Sequence, residues 1–362
     1  MHKIPVTVVT GFLGAGKTTL LRHLLQNPQG RRIAVLVNEF GEVGIDGDLL
    51  RSCQVCDEED ATGPNNGPSN VIELTNGCLC CTVQEEFLPT MQQLLDRRQD
   101  IDCIVIETSG LALPKPLVQA FRWPEIRTGA TVDGVIATVD CEALAAGRVV
   151  GDLEALVAQR AADDSLEHET PIEELFEDQL ACADLVLLTK CDQVTPADVA
   201  RVEAWLKQEL RPGVKIVPCQ RGAIAPELLL GFNAAVEDNL ADRPSHHDHH
   251  HHDHDHENDD DHDHDHDHDH DDEIGAIALS LGEVNPQALV QRLERLVQEW
   301  EIYRIKGFAA VTGKPMRLVV QGVGPRFETF FDRPWRPEEA RSTRLVIIGR
   351  ELDRASIAAA LQ

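Results

Sequence analysis

An apolar run, Val6–Thr10, leads directly into GFLGAGKT at residues 11–18. That octapeptide fits G-x-x-x-x-G-K-[ST], the phosphate loop that joins a strand to a helix. Binding phosphate needs several backbone N–H groups at close range. Gly11, Gly14 and Gly16 let the chain bend without a Cβ in the way. Lys17 brings a point charge to the β- and γ-phosphates, and Thr18 an oxygen for Mg²⁺. The following helix supplies its positive end. Ala15 and Thr19 complete the candidate cradle. The chain is therefore expected to be an α/β protein that binds a nucleotide.

Residues beyond the loop continue the pattern. Strand-like runs lie at Ile33–Val37, Val71–Leu74, Ile101–Ile106, Gly134–Val139, Leu185–Thr189 and Lys215–Val217. Amphipathic stretches at Thr18–Leu25, Phe87–Leu95, Ile172–Leu180 and Pro196–Leu210 separate several of them. Short apolar strands alternating with helices predict a mostly parallel sheet covered on both faces. Ligands of such sheets bind at the carboxyl ends of the strands.

Composition breaks after Asp242. Residues 245–273 carry fourteen acidic side chains, thirteen of the sixteen histidines and no Lys or Arg. A segment with nothing to bury is expected to stay disordered and serve as a linker. Structure is expected to resume at Ile274 with a strand to Leu281 and a helix over Pro286–Trp300. Strands follow around Gly307–Val311, Arg317–Gly322 and Thr343–Gly349, then a short helix from Asp353. The predicted organisation is a P-loop NTPase domain (1–232), a His/Asp-rich linker (233–273) and a small α+β domain (274–362).

The formal charge of −29 comes about half from the tract. No basic patch stands out, so nucleic acid is not an expected partner, whereas cations are. No run of about 18 apolar residues suggests a membrane span, and the start lacks the pattern of a signal peptide. A cytoplasmic location is expected, with the ten cysteines read as thiols, metal ligands or core residues.

Two further segments suit a nucleotide hydrolase. DCIVIETSG ends its strand in Glu107, a carboxylate able to hold the Mg²⁺ shell, and the Gly110 amide can sense the γ-phosphate. TKCD follows the strand at Leu185. There Asp192 can accept two hydrogen bonds from the N1 and N2 edge of guanine, Lys190 can cover the base, and Thr189 opens the loop. GTP is expected over ATP, with Lys17, Glu39 and Glu107 as candidate catalytic residues.

TNGCLCCTVQE at 75–85 places Cys78, Cys80 and Cys81 in a turn before a capping-box signal, Thr82 with Glu85. The positive end of a helix favours thiolate over thiol. Thiolates suit Zn²⁺, Cu⁺ and, less selectively, Co²⁺. A reactive thiol pair and simple small-residue packing are the alternatives. Cys53 and Cys56 form a second C-x-x-C, an accessory ligand pair or a spectator. Cys103, Cys141, Cys182 and Cys191 read as structural, while Cys219 is either structural or close to the base. The loop NEFGEVGID (38–46), with Glu39, Glu42 and Asp46, can reorganise around a γ-phosphate and couple nucleotide to metal. The His/Asp tract reads as a weak, multi-site metal buffer, with imidazole protonation competing near neutral pH, or as a solubilising linker.

TGFLGAGKTTLL (10–21), NEFGEVGIDG (38–47), ELTNGCLCCTV (73–83) and ETSGLALPKPLVQAF (107–121) together resemble the CobW family of metal-handling P-loop GTPases. The likeness continues through HETPIEELFEDQLACADLVLLTK (168–190) and KGFAAVTGKPMRLVVQGVG (306–324). It implies GTP- and Mg²⁺-dependent binding of Co²⁺, or of Zn²⁺ in the alternative, by the C-x-C-C residues. It further implies delivery of cobalt to the cobaltochelatase of aerobic cobalamin biosynthesis, and it allows a nucleotide- or metal-dependent homodimer. Two features depart from the pattern: Thr189 stands where the family usually has Asn, and the loop Asp57–Ser69 is long. A metal store built on the His tract and a small-molecule kinase are the competing readings.

Overall fold

The structure is a computed structural model describing residues 3–38, 71–74, 87–162, 170–232, 234–243, 274–337 and 339–361. It divides into two compact units, Met1–Pro244 and Ser245–Gln362.

The first unit is built on seven parallel strands: β1 (Ile4–Thr10), β2 (Ile33–Asn38), β3 (Val71–Leu74), β4 (Cys103–Glu107), β5 (Ala130–Asp140), β6 (Leu185–Thr189) and β7 (Lys215–Pro218). They lie in the order β3-β2-β4-β1-β5-β6-β7. Every residue of β4 and β6 is buried, as expected of strands covered on both faces. One face packs Leu94, Leu117 and Phe121 against Val6, Val8 and Ile104. The other packs Leu175, Phe176 and Leu206 against Val139, Val186 and Leu188. Register then decides the site. Val9 pairs with Glu107, Thr10 with Ala137, and Asp140 with Thr189, so the loops after β1, β4, β5 and β6 open side by side at one carboxyl edge.

The second unit is a five-stranded antiparallel sheet ordered β11-β10-β9-β12-β8, comprising β8 (Gly275–Leu281), β9 (Ile302–Ala310), β10 (Met316–Val323), β11 (Arg326–Pro334) and β12 (Thr343–Gly349). The helix Pro286–Glu299 buries Leu289, Leu293 and Leu296 with Ile305, Val320 and Ile347 of the sheet. Two expectations are corrected. β9 begins at Ile302, five residues before the expected Gly307. β11 was not expected at all, because RFETFFDRP is an edge strand whose charges interrupt any apolar run, and it exposes Phe330 and Phe331. Among the described residues no helix is long and apolar enough to cross a membrane.

Candidate functional site

β1 delivers the chain to Gly11 at the centre of the carboxyl edge. Gly11 has φ 137°, and a Cβ there would lie 2.3 Å from Thr138 Oγ1 and 2.4 Å from its carbonyl oxygen. Only glycine permits both that conformation and that approach. Gly14 and Gly16 also have positive φ, 76° and 91°. Ala15 N donates to Phe12 O at 3.1 Å to close the turn, and the helix Lys17–Gln26, containing Thr18 and Thr19, starts at its end. Lys17 Nζ arches back to donate to Gly11 O (2.8 Å) and Phe12 O (3.1 Å). An ammonium held over positive-φ glycines at a helix N-terminus suits a polyphosphate.

Glu107 closes β4 and is 4% exposed. Its Oε1 accepts a 3.2 Å hydrogen bond from Thr18 Oγ1. A hydroxyl and a carboxylate are hard oxygen donors of the kind Mg²⁺ takes, so the residues present fit that ion. Thr108 N donates to Val9 O at 2.9 Å, and Thr108 Oγ1 donates to Thr10 Oγ1 at 3.1 Å. Both contacts fasten the end of β4 to the end of β1. Gly110 follows, its carbonyl accepting from Gln179 Nε2 at 3.2 Å.

Beyond β6, Thr189 Oγ1 is 2.9 Å from Ala15 O and 3.0 Å from Val139 O. Its hydroxyl thus ties the loop 189–192 to the phosphate loop. Lys190 is left-handed (φ 57°) and its ammonium sits 2.6 Å from Asp140 Oδ2. Asp192 accepts from Gln193 Nε2 at 2.7 Å and faces Arg221 Nε at 3.8 Å. Sequence reading missed Asp140 and Arg221. Asp140 carried a signal: it caps the helix Cys141–Ala145 by accepting from Ala143 N at 3.1 Å, and Asp before a run of helix formers marks such a cap. Arg221 carried none, since its place depends on β7 lying beside β6.

Burial pushes several thiols up, Cys103 to about 12, Cys182 to about 11 and Cys219 to about 12. These stay protonated near neutral pH, unlike a metal-binding thiolate. Among the described residues no group of three or more His, Cys, Asp or Glu is arranged to hold a metal. Cys78, Cys80, Cys81, Cys53, Cys56, Glu39, Glu42, Asp46 and the tract 245–273 lie outside the described residues. Their points of departure do not. Asn38 pairs with Leu74 at the carboxyl ends of β2 and β3, so the segments bearing Glu39 and the C-x-C-C cysteines both leave from the edge that holds the phosphate loop.

The chain matches the family described as CobW/HypB/UreG, nucleotide-binding domain, over residues 5–218. It also matches the Cobalamin synthesis protein cobW C-terminal domain over residues 278–362. It is 57% identical over 359 residues to the zinc chaperone CobW of Pseudomonas aeruginosa, covering 99% of this chain and 90% of that protein. Identity to the zinc chaperone CobW of a Sinorhizobium species is 46% over 363 residues (99% and 96%). To the zinc chaperone YjiA of Escherichia coli it is 32% over 370 residues (99% and 98%).

Proposed function

This chain belongs to the CobW family of P-loop GTPases, and on that premise we propose that it is a metallochaperone that takes up and releases a thiolate-bound metal as GTP binds and is hydrolysed. Gly11, Gly14, Ala15, Gly16, Lys17, Thr18 and Thr19 hold the phosphates, with Lys17 placing positive charge against the transferring group. Thr18 and Glu107 hold Mg²⁺, which when bound neutralises charge on the β- and γ-oxygens. Asp192 accepts from the guanine edge, with Thr189 and Lys190 fixing its loop. Cys78, Cys80 and Cys81 hold the cargo, and the loop 38–46 with Glu39 links it to the γ-phosphate. A His/Asp-rich linker between the P-loop domain and residues 274–362, and a cytoplasmic location, belong to the same reading. The segment 234–243, expected within the linker 233–273, packs instead into the first unit through Val236, Leu240 and Arg243.

One observation carries it: phosphate loop, Glu107, base loop and the departure points after Asn38 and Leu74 share a single carboxyl edge. In this reading the loop that leaves after Asn38 serves both the γ-phosphate and the metal.

Zn²⁺ is the cargo favoured here. Three relatives spanning nearly the whole chain carry zinc in their names, and thiolate sites bind Zn²⁺ more tightly than Co²⁺. Delivery of Co²⁺ to a cobaltochelatase is the second reading, favoured by the match of residues 278–362 to a cobalamin-synthesis domain.

The test is a titration of Zn²⁺ and Co²⁺ with Mg²⁺ and GTPγS, GDP or no nucleotide, following the thiolate-to-Co²⁺ charge-transfer absorption. The chaperone reading expects much tighter metal binding with GTPγS and its loss in Cys80→Ala/Cys81→Ala, with nucleotide binding intact. Metal binding indifferent to nucleotide, or retained by the double variant, overturns it. Co²⁺ bound as tightly as Zn²⁺ moves the assignment to the second reading.

A further inference from the structure

Three buried thiols stand in a row at the carboxyl edge, and the function above uses none of them. Cys141 directly follows β5, Cys191 lies two residues past β6, and Cys219 directly follows β7. The pairing of Asp140 with Thr189 sets the first two beside each other, and both lie in one buried cluster with Val139 and Leu188. Cys191 Sγ donates to Leu188 O at 3.1 Å. Cys219 is turned to the carbonyl of Ala223, 3.7 Å from its sulfur. Cys141 is fully buried, and Cys191 is 9% exposed.

We propose that Cys141 and Cys191 are a redox modification site, closing to a reversible disulfide that disables base recognition by Thr189–Asp192. The disulfide rests on the juxtaposition of the two cysteines at neighbouring strand ends; its effect on nucleotide rests on the base-loop assignment above.

A hydroperoxide is the class of oxidant required. Cys191, the less buried of the two, loses its proton and its sulfur attacks the O–O bond of hydrogen peroxide. One oxygen stays as a sulfenic acid and the other leaves as water. The Cys141 sulfur then attacks the Cys191 sulfur, its proton leaving with the hydroxyl as a second water. Two electrons pass from the thiols to one peroxide. The product needs the sulfurs about 2.05 Å apart, so Cys191 must be drawn toward Cys141. Its neighbours cannot follow freely. Lys190 is left-handed and pinned to Asp140 at 2.6 Å, so the displacement falls on Asp192, the proposed guanine acceptor. Contact with Cys191 and burial push the Cys141 thiol up, which makes closure slow, and a bound base covering the loop slows it further.

The test treats the reduced full-length chain with hydrogen peroxide, blocks remaining thiols with iodoacetamide and maps non-reduced peptides by mass spectrometry. Binding of a fluorescent GTP analogue is measured before oxidation, after it and after dithiothreitol. The expected result is a Cys141–Cys191 linked peptide, affinity at least tenfold weaker, and recovery on reduction. Cys141→Ser, or Cys141→Ala should the serine not fold, is expected to lose less affinity under the same treatment. No such peptide in excess peroxide, a Cys191–Cys219 link in its place, an equal loss in the Cys141 variants, or a linked chain of unchanged affinity overturns the proposal. A reduced chain that binds no GTP analogue sinks the base-loop assignment instead, and the linked peptide then decides the disulfide alone.

Discussion

Thr18 Oγ1 and Glu107 Oε1 are 3.2 Å apart although 89 residues separate them in the chain. Parallel pairing of Val9 with Glu107 brings them together, setting the first turn of one helix against the end of the neighbouring strand. Glu107→Gln keeps the shape and the acceptor oxygen but removes the charge. Mg²⁺-dependent GTP hydrolysis is expected to fall about 100-fold, the scale of losing one preorganised electrostatic group, with the far-ultraviolet dichroism unchanged. Wild-type turnover in this variant would remove Glu107 from the site.

Gly110 lies against the phosphate loop from the other side. A Cβ on it would be 2.7 Å from Leu13 N, and a backbone atom inside a tight loop has nowhere to retreat. Gly110→Ala is expected to cost about 1–3 kcal/mol, as overpacking does, and to weaken GTP binding as the loop shifts. Calorimetric unfolding and nucleotide titration measure the two effects. An alanine variant as stable and as tight as the parent would show that the loop yields freely.

Thr189 fastens the loop after β6: its hydroxyl reaches Ala15 O and Val139 O. Thr189→Val removes the hydroxyl at nearly constant shape and is expected to destabilise by about 1–3 kcal/mol, the cost of leaving a buried polar group without its bond. Thr189→Ser should lose much less. Denaturant unfolding of the pair checks this, and equal stabilities would mean that the hydroxyl ties nothing.

In the second unit, Arg333 grips Glu339 with both terminal nitrogens, and Arg336 N adds a 3.0 Å bond. These hydrogen bonds, led by that from Arg333, hold the Glu339 carboxyl at about 2 against an ordinary 4.5. A depressed folded-state pKa gives stability that is full above 4.5 and lost as pH falls toward 2. The difference in melting temperature between the parent and Glu339→Gln is therefore expected to shrink across that window. A difference constant from pH 6 to pH 2 would rule this linkage out.

The sequence made the parallel sheet legible because its strands are short, continuously apolar runs. The strands expected at Val71–Leu74 and Leu185–Thr189 are observed at those bounds. The meeting of Thr18 with Glu107 was legible because a phosphate loop and an apolar strand ending in a carboxylate are two parts a nucleotide hydrolase needs around Mg²⁺. Asp140 could be read as a helix cap but not as the partner of Lys190, and Arg221 not at all, because those contacts depend on which strand neighbours which, and strand order is not written in local periodicity. β11 stayed hidden for a different reason: an edge strand that exposes Phe330 and Phe331 has no buried face to impose alternation. Helices Pro114–Ala120 and Cys141–Ala145 were too short for a period of 3.6 to show.

Arg243 closes the first unit, one residue before Pro244. Its side chain is 1% exposed and meets Asp184, itself 0% exposed, at 2.6 Å. It also donates to the carbonyl of Cys182, while Asp184 Oδ2 accepts from Val135 N at 2.9 Å and Arg243 O from Lys115 Nζ at 3.0 Å. Cys182 and Asp184 precede β6, so this pair sits at the amino end of the sheet, opposite the phosphate loop. Removing one partner of a buried pair strands the other charge. Arg243→Met is accordingly expected to cost about 3–5 kcal/mol, whereas pairing it with Asp184→Asn should restore part of that loss. GTP hydrolysis by the surviving folded fraction should match the parent, because the pair is a sheet's length from the nucleotide. Urea unfolding of the single and double variants, with turnover measured per folded molecule, checks both statements. A single variant within 1 kcal/mol of the parent (about the size of a surface pair) would mean that the guanidinium reaches solvent and that Arg243 does not lock the end of this unit.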